Sequence, residues 1–146
     1  MPIADNVILG DNVTIHHPEL VNLYGCVIGD NCKIGAFVEI GGVTIGNRCK
    51  IQAFSYIPLG VTVGDDVFVG PHVCFTNDLY PPSGKRWPTV IEDKVSIGAG
   101  AVILCGVKIG RNAKIAAGAV VIRDVPTDAV MVGNPARRIR RSHKWG

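Results

Sequence analysis

The chain has 146 residues, enough for one domain with a buried core and too few for two ordinary domains. Its 18 glycines and 9 prolines, with only 6% aromatic residues, indicate a turn-rich all-β architecture with a core of small, branched side chains. The formal net charge is +3, but five of the 15 cations fall in the last ten residues, which leaves ten cations against 12 anions elsewhere. A nucleic-acid-binding protein needs basic side chains spread over its fold. The charge distribution therefore does not predict nucleic-acid binding by the body of this protein.

The N-terminal sequence MPIADNVILG has no basic region followed by a long apolar run, and no later window reaches about 18 uninterrupted apolar residues. We therefore expect neither a secretory signal nor a membrane span. The cysteines are odd in number, form no C-x-x-C pair and occupy apolar strand positions: Cys26, Cys32, Cys49, Cys74 and Cys105. This usage is typical of reduced thiols, and it predicts a cytoplasmic protein.

An apolar period of six residues runs through almost the whole chain. It starts at Ile3, Leu9 and Ile15, is not maintained from His17 to Tyr24, and resumes at Ile28. The first inward positions are then Ile28, Ile34, Ile40, Ile45, Ile51, Ile57, Val63, Val69, Phe75, Ile91, Ile97, Ile103, Ile109, Ile115 and Val121. A second slot four residues later holds small or branched residues, from Cys32 to Val125. We expect the blurred N-terminal coil to be irregular.

A sustained period of six is typical neither of a helix, where apolar residues recur three and four apart, nor of a two-sided strand. It predicts a short strand followed by a corner, with three such sides closing a triangular coil of about eighteen residues. Residue types that tolerate positive φ mark corners at Gly10-Asp11-Asn12, Gly29-Asp30-Asn31, Gly46-Asn47-Arg48, Gly64-Asp65-Asp66 and Gly110-Arg111-Asn112. The prediction is a parallel β-helix of about six coils, roughly 30 Å tall, spanning residues 1–146 as a single domain.

One long insertion interrupts the repeat at about residues 76–90, where TNDLYPPSGKRWPTV separates Phe75 from Ile91. Loops on rigid scaffolds commonly carry binding groups, although a plain solvent loop is the alternative. Asn77 and Asp78 open the loop, and either side chain is also suited to capping a turn. A short basic tail at about residues 133–146 follows the repeat; the alternative interpretation of its last residues is that they bind nucleic acid or a membrane.

Three segments carry a more specific resemblance: VNLYGCVIGDNCKIGAFVEI at 21–40, VFVGPHVCFTNDLYPP at 67–82 and VGNPARRI at 132–139. With the repeat [Ile/Val]-Gly-x-x-[Val/Ala/Cys]-x, they resemble the hexapeptide-repeat acyltransferases, most closely those that N-acetylate 3-amino sugars on nucleotide carriers. The resemblance implies a left-handed β-helix, a homotrimer, acetyl-CoA as co-substrate, and a place in lipopolysaccharide or O-antigen biosynthesis. The chain departs from these relatives at Leu59, where they often carry a glutamate that helps hold the sugar.

By this resemblance, Asn77 contacts the sugar near the reacting amine, and Asp78 has an auxiliary catalytic role. Related O-acetyltransferases have a catalytic histidine before a proline in this loop, where this chain has Tyr80 before Pro81. An amine is already a nucleophile and needs positioning more than a strong base, so the absence of that histidine favours an amine acceptor. His72 remains a candidate base, with packing at a subunit contact as the alternative. Lys85 and Arg86 are predicted to bind a substrate carboxylate or phosphate, with a solvated loop tip as the alternative.

The resemblance also places coenzyme A along small outward residues of the later coils, which let a ligand approach the backbone closely. The predicted cofactor-binding residues are Gly98, Ala99, Ala116, Ala117, Arg123, Pro135, Arg137 and Arg138. Arginine forks suit phosphate oxygens, so Arg137 and Arg138 are assigned to the 3′-phosphate. The alternative for the small corner residues is that they only serve tight turning.

The predicted function is an acetyl-CoA-dependent N-acetyltransferase acting on an amino group of a nucleotide-linked amino sugar. The alternative is an O-acetyltransferase of a sugar or another small hydroxyl acceptor. A carbonic anhydrase-like metalloenzyme needs three converging histidines, whereas His16, His17, His72 and His143 are scattered, and no metal is predicted. A non-catalytic β-helix would show flat repetitive rows and no loop. Both of these stay minor alternatives.

Overall fold

The computed structural model describes residues 2–140; residues 141–146, with His143 and the last part of the predicted basic tail, lie outside it. Its regular elements are short β-strands, all paired in parallel except the last two, and one 3₁₀ turn at Pro18–Leu20. The chain winds as a left-handed parallel β-helix of hexapeptide repeats, as the sequence predicts. Among the described residues no helix has both the length and the apolar character that crossing a bilayer requires.

Strands of successive coils stack into three sheets that form the sides of the prism. Sheet I contains β1 (Ile8–Leu9), β4 (Val27–Ile28), β7 (Thr44–Ile45), β10 (Val61–Val63), β13 (Thr89–Ile91) and β16 (Lys108–Ile109). Sheet II contains β2 (Thr14–Ile15), β5 (Lys33–Ile34), β8 (Lys50–Ile51), β11 (Phe68–Val69), β14 (Ser96–Ile97), β17 (Lys114–Ile115), β19 (Val130–Val132) and β20 (Arg137–Ile139). Sheet III contains β3 (Asn22–Tyr24), β6 (Glu39–Gly41), β9 (Tyr56–Ile57), β12 (Cys74–Phe75), β15 (Val102–Ile103) and β18 (Val120–Val121).

The inward positions predicted from the six-residue period form the core. From Ile28 to Val125 both slots are buried, and most of their side chains have 1% or less of their surface exposed. Register between coils keeps these columns aligned, as in Ile97 over Val69 and under Ile115. Four of the five cysteines are buried with them, and all five are free thiols. Burial of this branched column supplies the main stabilisation of the fold.

The prism has about seven coils, one more than the sequence predicts. The expected irregular N-terminal coil is wrong in part: β1 and β2 pair in parallel with β4 and β5, and Ile3 bridges to Leu23. Backbone pairing to the next coil does not depend on the side-chain pattern, so the coil forms where the pattern blurs. The irregular part is confined to the segment around the 3₁₀ turn.

The three corners differ in chemistry. The polar corner, between sheets I and II, contains the predicted turns, with left-handed φ of 57° to 61° at Asn12, Asn31, Arg48, Asp66 and Asn112. Here side-chain oxygens accept backbone N–H groups from the preceding coil, for example Asp30 Oδ1 from Asp11 at 2.8 Å and Asp65 Oδ1 from Asn47 at 2.7 Å. This ladder of hydrogen bonds stabilises the corner.

The stacked corner, between sheets II and III, carries Phe37, Phe54, His72, Gly100 and Gly118 in one column, all with positive φ. The loop corner, between sheets III and I, begins with Gly25 and Gly42 and continues through Leu59 and Gly60. At the next coil the chain leaves the prism at this corner. These two corners position the loop residues, His72, Ala99 and Ala117, whereas Arg137 and Arg138 lie on sheet II.

Candidate functional site

The long insertion leaves the prism after β12 and returns at β13, so it replaces one short turn of the loop corner. Thr76 N–H donates to the Ile103 carbonyl at 3.0 Å, and Thr89 N–H donates to the Gly60 carbonyl at 2.9 Å. Thr89 is directly paired with Val61 in sheet I. The loop therefore starts and ends in register with the coils above and below it, which gives its mouth a fixed place on the scaffold.

Asp78 organises the first half of the loop. Its Oδ1 accepts the Tyr80 N–H at 3.1 Å and the Ser83 hydroxyl at 2.6 Å, and its Oδ2 accepts the Ser83 N–H at 2.6 Å and the Gly84 N–H at 3.2 Å. The Ser83 side-chain bond and these backbone bonds hold the pKa of the Asp78 carboxyl below its ordinary value. Both oxygens are committed to the loop, so the geometry supports the turn-capping interpretation of this side chain.

Trp87 holds the second half of the loop against the prism. Its ring meets Tyr80 edge to face, with centroids 6.1 Å apart and an interplanar angle of 76°. On the other side it lies over Gly106, where an added Cβ would be 3.2 Å from the Trp87 Cβ and φ is +87°. Trp87 is half-buried while Tyr80 is 73% exposed. Trp87 thus packs the loop against the prism, and Tyr80 is the exposed aromatic side chain of the loop.

Asn77 stands at the mouth of the loop with an exposed side chain, between Thr76 and the capping Asp78. An amide both donates and accepts hydrogen bonds, so it suits a substrate that carries hydroxyl and amino groups. Lys85 and Arg86 lie at the exposed end of the same loop, and within residues 2–140 neither forms an ion pair. The structure therefore puts the three predicted substrate-binding residues on one loop.

His72 lies at the other end of β12, on the stacked corner. Its ring lies flat on Phe54, with centroids 4.7 Å apart and an interplanar angle of 2°, and Phe54 stacks in turn on Phe37 at 5.0 Å. Asn77 lies five positions after His72, a distance on the order of 15 Å along a nearly extended chain. Within one chain these two side chains cannot contact the same reacting atom. The predicted catalytic role of His72 stays a prediction, and it would require a second subunit.

In the coils above His72, the stacked corner carries small residues in place of aromatic ones. Ala99 and Ala117 are exposed and lie one coil apart, roughly 4.8 Å. Within the described residues neither of their backbone N–H groups donates to another backbone group. The prediction that Ala116 points outward is wrong, because it is only 4% exposed. Gly98 faces the next coil, since an added Cβ would lie 2.5 Å from the Ala117 nitrogen.

The segment after β19 continues this corner. The Gly133 carbonyl accepts the Val120 N–H at 2.9 Å, and Ala136 N–H donates to the Val120 carbonyl at 2.8 Å, so exposed Pro135 lies at the upper end of the stacked corner. Arg123 is exposed on the segment that follows β18, at the loop corner. The structure thus groups Pro135 with Ala99 and Ala117 and places Arg123 apart from them.

Arg137 and Arg138 belong to β20, which runs antiparallel to β19 with Arg137 opposite Val132 and Arg138 opposite Met131. Neighbouring residues of a strand point to opposite faces, so the two guanidinium groups do not share one face. Arg138 lines a recess of about 670 Å³ together with Lys114, Arg140, Asn112, Asp128, Val130 and Ile139. Three cations against one carboxylate make this recess suited to an anion.

The sequence pattern did not indicate a role for Thr76 and Thr89. Their hydroxyls accept the Cys105 N–H at 3.0 Å and the Gly106 N–H at 3.1 Å. The available signal was their placement at the two ends of the inserted loop. In residues 2–140 no group of three or more His, Cys, Asp or Glu side chains is arranged to hold a metal ion.

A family model described as bacterial transferase hexapeptide, six repeats, matches residues 25–59, 42–77 and 88–123, together more than half of the chain. The chain is also 47% identical over 81 residues to the 2,3,4,5-tetrahydropyridine-2,6-dicarboxylate N-acetyltransferase of Staphylococcus aureus strain MRSA252. That match covers 56% of this chain and 33% of the relative. The chain thus spans about a third of the length of the curated relatives it matches.

Among solved structures, a mutant of AntD, an N-acyltransferase from Bacillus cereus in complex with dTDP and coenzyme A, superposes with a TM-score of 0.80 at 23% identity, covering 93% of this chain and 84% of that chain. A mutant of GDP-perosamine N-acetyl transferase from Caulobacter crescentus, in complex with CoA and GDP-perosamine, gives a TM-score of 0.60 at 21% identity, covering 95% and 56%. At these identities the likeness establishes the shared fold.

Proposed function

The chain belongs to the bacterial transferase hexapeptide family, and from that membership we propose that it transfers an acetyl group from acetyl-CoA to an amino group of a nucleotide-linked amino sugar. The observation that carries the proposal is the loop mouth, where an exposed amide, Asn77, is held in place and His72 lies at the far end of β12. Within one chain the loop mouth positions an acceptor with no histidine beside it, which suits an amine, because an amine attacks a thioester without prior deprotonation by a strong base. The named function of the Staphylococcus aureus relative is likewise N-acetylation.

The acceptor lies, in this proposal, against the loop. Asn77 orients the reacting amine. Lys85 and Arg86 bind the phosphates of the nucleotide carrier, because ammonium and guanidinium groups form charge-assisted hydrogen bonds with phosphate oxygens. Asp78 contributes by shaping the loop, since its oxygens are already occupied by four donors. The ligands of the two structural neighbours, dTDP and GDP-perosamine, support the choice of a nucleotide-linked acceptor.

Acetyl-CoA lies along the upper stacked corner. Its pantetheine arm carries amide groups, and the N–H groups of Ala99 and Ala117 provide two donors in line along that corner. Pro135 borders the same track, and Arg138 and Lys114 line the cationic recess where a phosphate would be stabilised. Gly98 and Ala116 support the track by allowing the coils to approach closely. Arg123, at the loop corner, has no assigned contact in this arrangement.

A thiol-release assay tests the proposal. With acetyl-CoA fixed, three acceptors are compared: a nucleotide-linked amino sugar, the same compound with a hydroxyl in place of the amine, and 2,3,4,5-tetrahydropyridine-2,6-dicarboxylate. We expect turnover with the first and little with the second. Release with the hydroxyl compound alone would establish an O-acetyltransferase, and release with the dicarboxylate alone would remove the sugar from the proposal.

The two arginines of β20 give a sharper test of the coenzyme A assignment. Because only Arg138 lines the cationic recess, Arg138→Ala should raise the KM for acetyl-CoA about tenfold, as expected for a lost charge-assisted bond. Arg137→Ala, on the opposite face of the strand, is the matched control and should change KM less than twofold. Equal effects of Arg138→Ala on acetyl-CoA and on its dephospho form would remove the 3′-phosphate from this recess.

We also propose that the protein is a homotrimer. The stacked rings of Phe37 and Phe54 are 52% and 50% exposed, which is costly for a ridge of large apolar groups in water. Light scattering should give about three times the chain mass of 15.5 kDa. Phe54→Asp should shift the protein toward the monomer, whereas Tyr80→Asp on the loop should not. A monomeric, fully active wild-type protein would contradict the proposal.

A further inference from the structure

The turn at Cys105 and Gly106 lies directly above the inserted loop. At a lower coil of the same corner, Gly42 N–H donates to the backbone carbonyl of Tyr24 in the coil below at 2.9 Å. One coil under Cys105 the chain has left the prism, so no turn carbonyl is present at that level. Cys105 is only 5% exposed, and a buried N–H without an acceptor is costly.

Two threonine hydroxyls replace the missing carbonyls. Thr76, directly after β12, accepts the Cys105 N–H at 3.0 Å, and Thr89, the first residue of β13, accepts the Gly106 N–H at 3.1 Å. Thr89 is 1% exposed, so its hydroxyl has no access to solvent. Both ends of the loop are thereby tied to one two-residue turn, and Trp87 covers the same turn from outside.

We propose that Thr76 is a positioning residue for the acceptor end of the reaction, and that the Cys105–Gly106 turn is the anchor through which it acts. Thr76 immediately precedes Asn77, so a hydroxyl bond that fixes Thr76 also fixes the peptide plane from which the Asn77 side chain projects. Thr89 and Trp87 hold the returning strand and set the loop's width. The catalytic part of this inference rests on the proposed acetyl transfer.

The kinetic test uses Thr76→Val, which keeps the shape and removes the acceptor, with Thr76→Ser as the matched variant that keeps the hydroxyl. For Thr76→Val we expect kcat/KM for the amino-sugar acceptor to fall about tenfold and the KM for acetyl-CoA to stay within twofold of wild type, because only the loop mouth moves. Thr76→Ser should restore most of the loss. Equal losses in the two variants, or none in Thr76→Val, would overturn the proposal.

Limited proteolysis tests the anchor without any turnover. Trypsin cleaves after Lys85 and Arg86, both exposed on the loop, and mass spectrometry follows the fragments that end there. Thr76→Val should be cut about ten times faster than wild type, and Thr76→Ser at nearly the wild-type rate. If wild type acetylates no amine while these rates hold, the proposed function fails and the anchor stands; unchanged cleavage in Thr76→Val removes the anchor.

Should Thr76→Val lose its cooperative melting transition, Trp87→Leu replaces it. This variant loosens the outer cover of Gly106 and leaves both threonines in place. It should show the same pair of changes, faster cleavage at the loop and a lower kcat/KM for the acceptor alone. Faster cleavage with unchanged acceptor kinetics would show that the anchor does not position Asn77.

Discussion

Replacing Asn77 by alanine is expected to lower kcat/KM for the amino-sugar acceptor by about 100-fold, with the KM for acetyl-CoA little changed. The proposed reaction depends on holding an amine at the thioester carbon, and loss of one orienting contact at the reacting centre has effects of this order. Asn77 is the exposed amide at a mouth that Thr76 and Asp78 both fix. Asn77→Asp, of the same size, tests whether the donor N–H of the amide is needed.

His72 provides the control for that experiment. His72→Phe preserves the stack on Phe54 and removes the titratable ring, whereas His72→Ala removes both. If positioning by Asn77 dominates, His72→Phe retains nearly full turnover, and His72→Ala loses activity only through the disturbed corner. Loss of turnover in His72→Phe with both substrates still bound would make His72 the general base, acting across a subunit contact.

Replacing Gly98 by alanine is expected to lower the free energy of unfolding by about 2 kcal/mol, a typical cost of overpacking. The added Cβ would lie 2.5 Å from the Ala117 nitrogen and 2.9 Å from the Ala116 carbonyl carbon, both backbone atoms of the next coil. Backbone cannot move aside as a side chain does, so the two coils must separate. A shift in the urea midpoint at equal protein concentration measures the loss.

Gly100→Asn is the matched control for Gly98→Ala, since it adds a larger side chain two residues away. Nothing lies within 4 Å of a Cβ at Gly100, and its φ of +70° is one that asparagine adopts at the polar corner. We expect nearly wild-type stability. A smaller loss in Gly98→Ala than in Gly100→Asn would show that close coil approach is not why position 98 is glycine.

The site residues divide according to how far their roles depend on contacts between coils. The loop and its opening pair, Asn77 and Asp78, are visible in the sequence because the six-residue period stops there. The four donors to Asp78 come from within the next six residues, yet their convergence on one carboxylate depends on the folded loop. The roles assigned to Asn77, Lys85 and Arg86 stay predictions.

The sequence by itself determined the coil. Most inward positions of the stacked prism hold small or branched apolar side chains, with Phe75 and Ser55 as exceptions, so the period of six marks both core slots, from Ile28 to Val125. Most turns of the polar corner follow from asparagine and aspartate for the same local reason, whereas residue type does not indicate the positive φ of Phe37, Phe54 and His72. Neither inference requires knowing which residues meet across coils.

Only the tertiary structure decided what lies at each corner. The bonds from Cys105 to Thr76 and from Gly106 to Thr89 join residues 29 and 17 apart, which become neighbours because one coil rests on another. The same stacking buries Ala116, and the strand pairing of β20 turns Arg137 and Arg138 to opposite faces. A periodic pattern specifies which side chains point inward; it carries no information about which outward groups share an edge, because that depends on the length of every coil and loop between them.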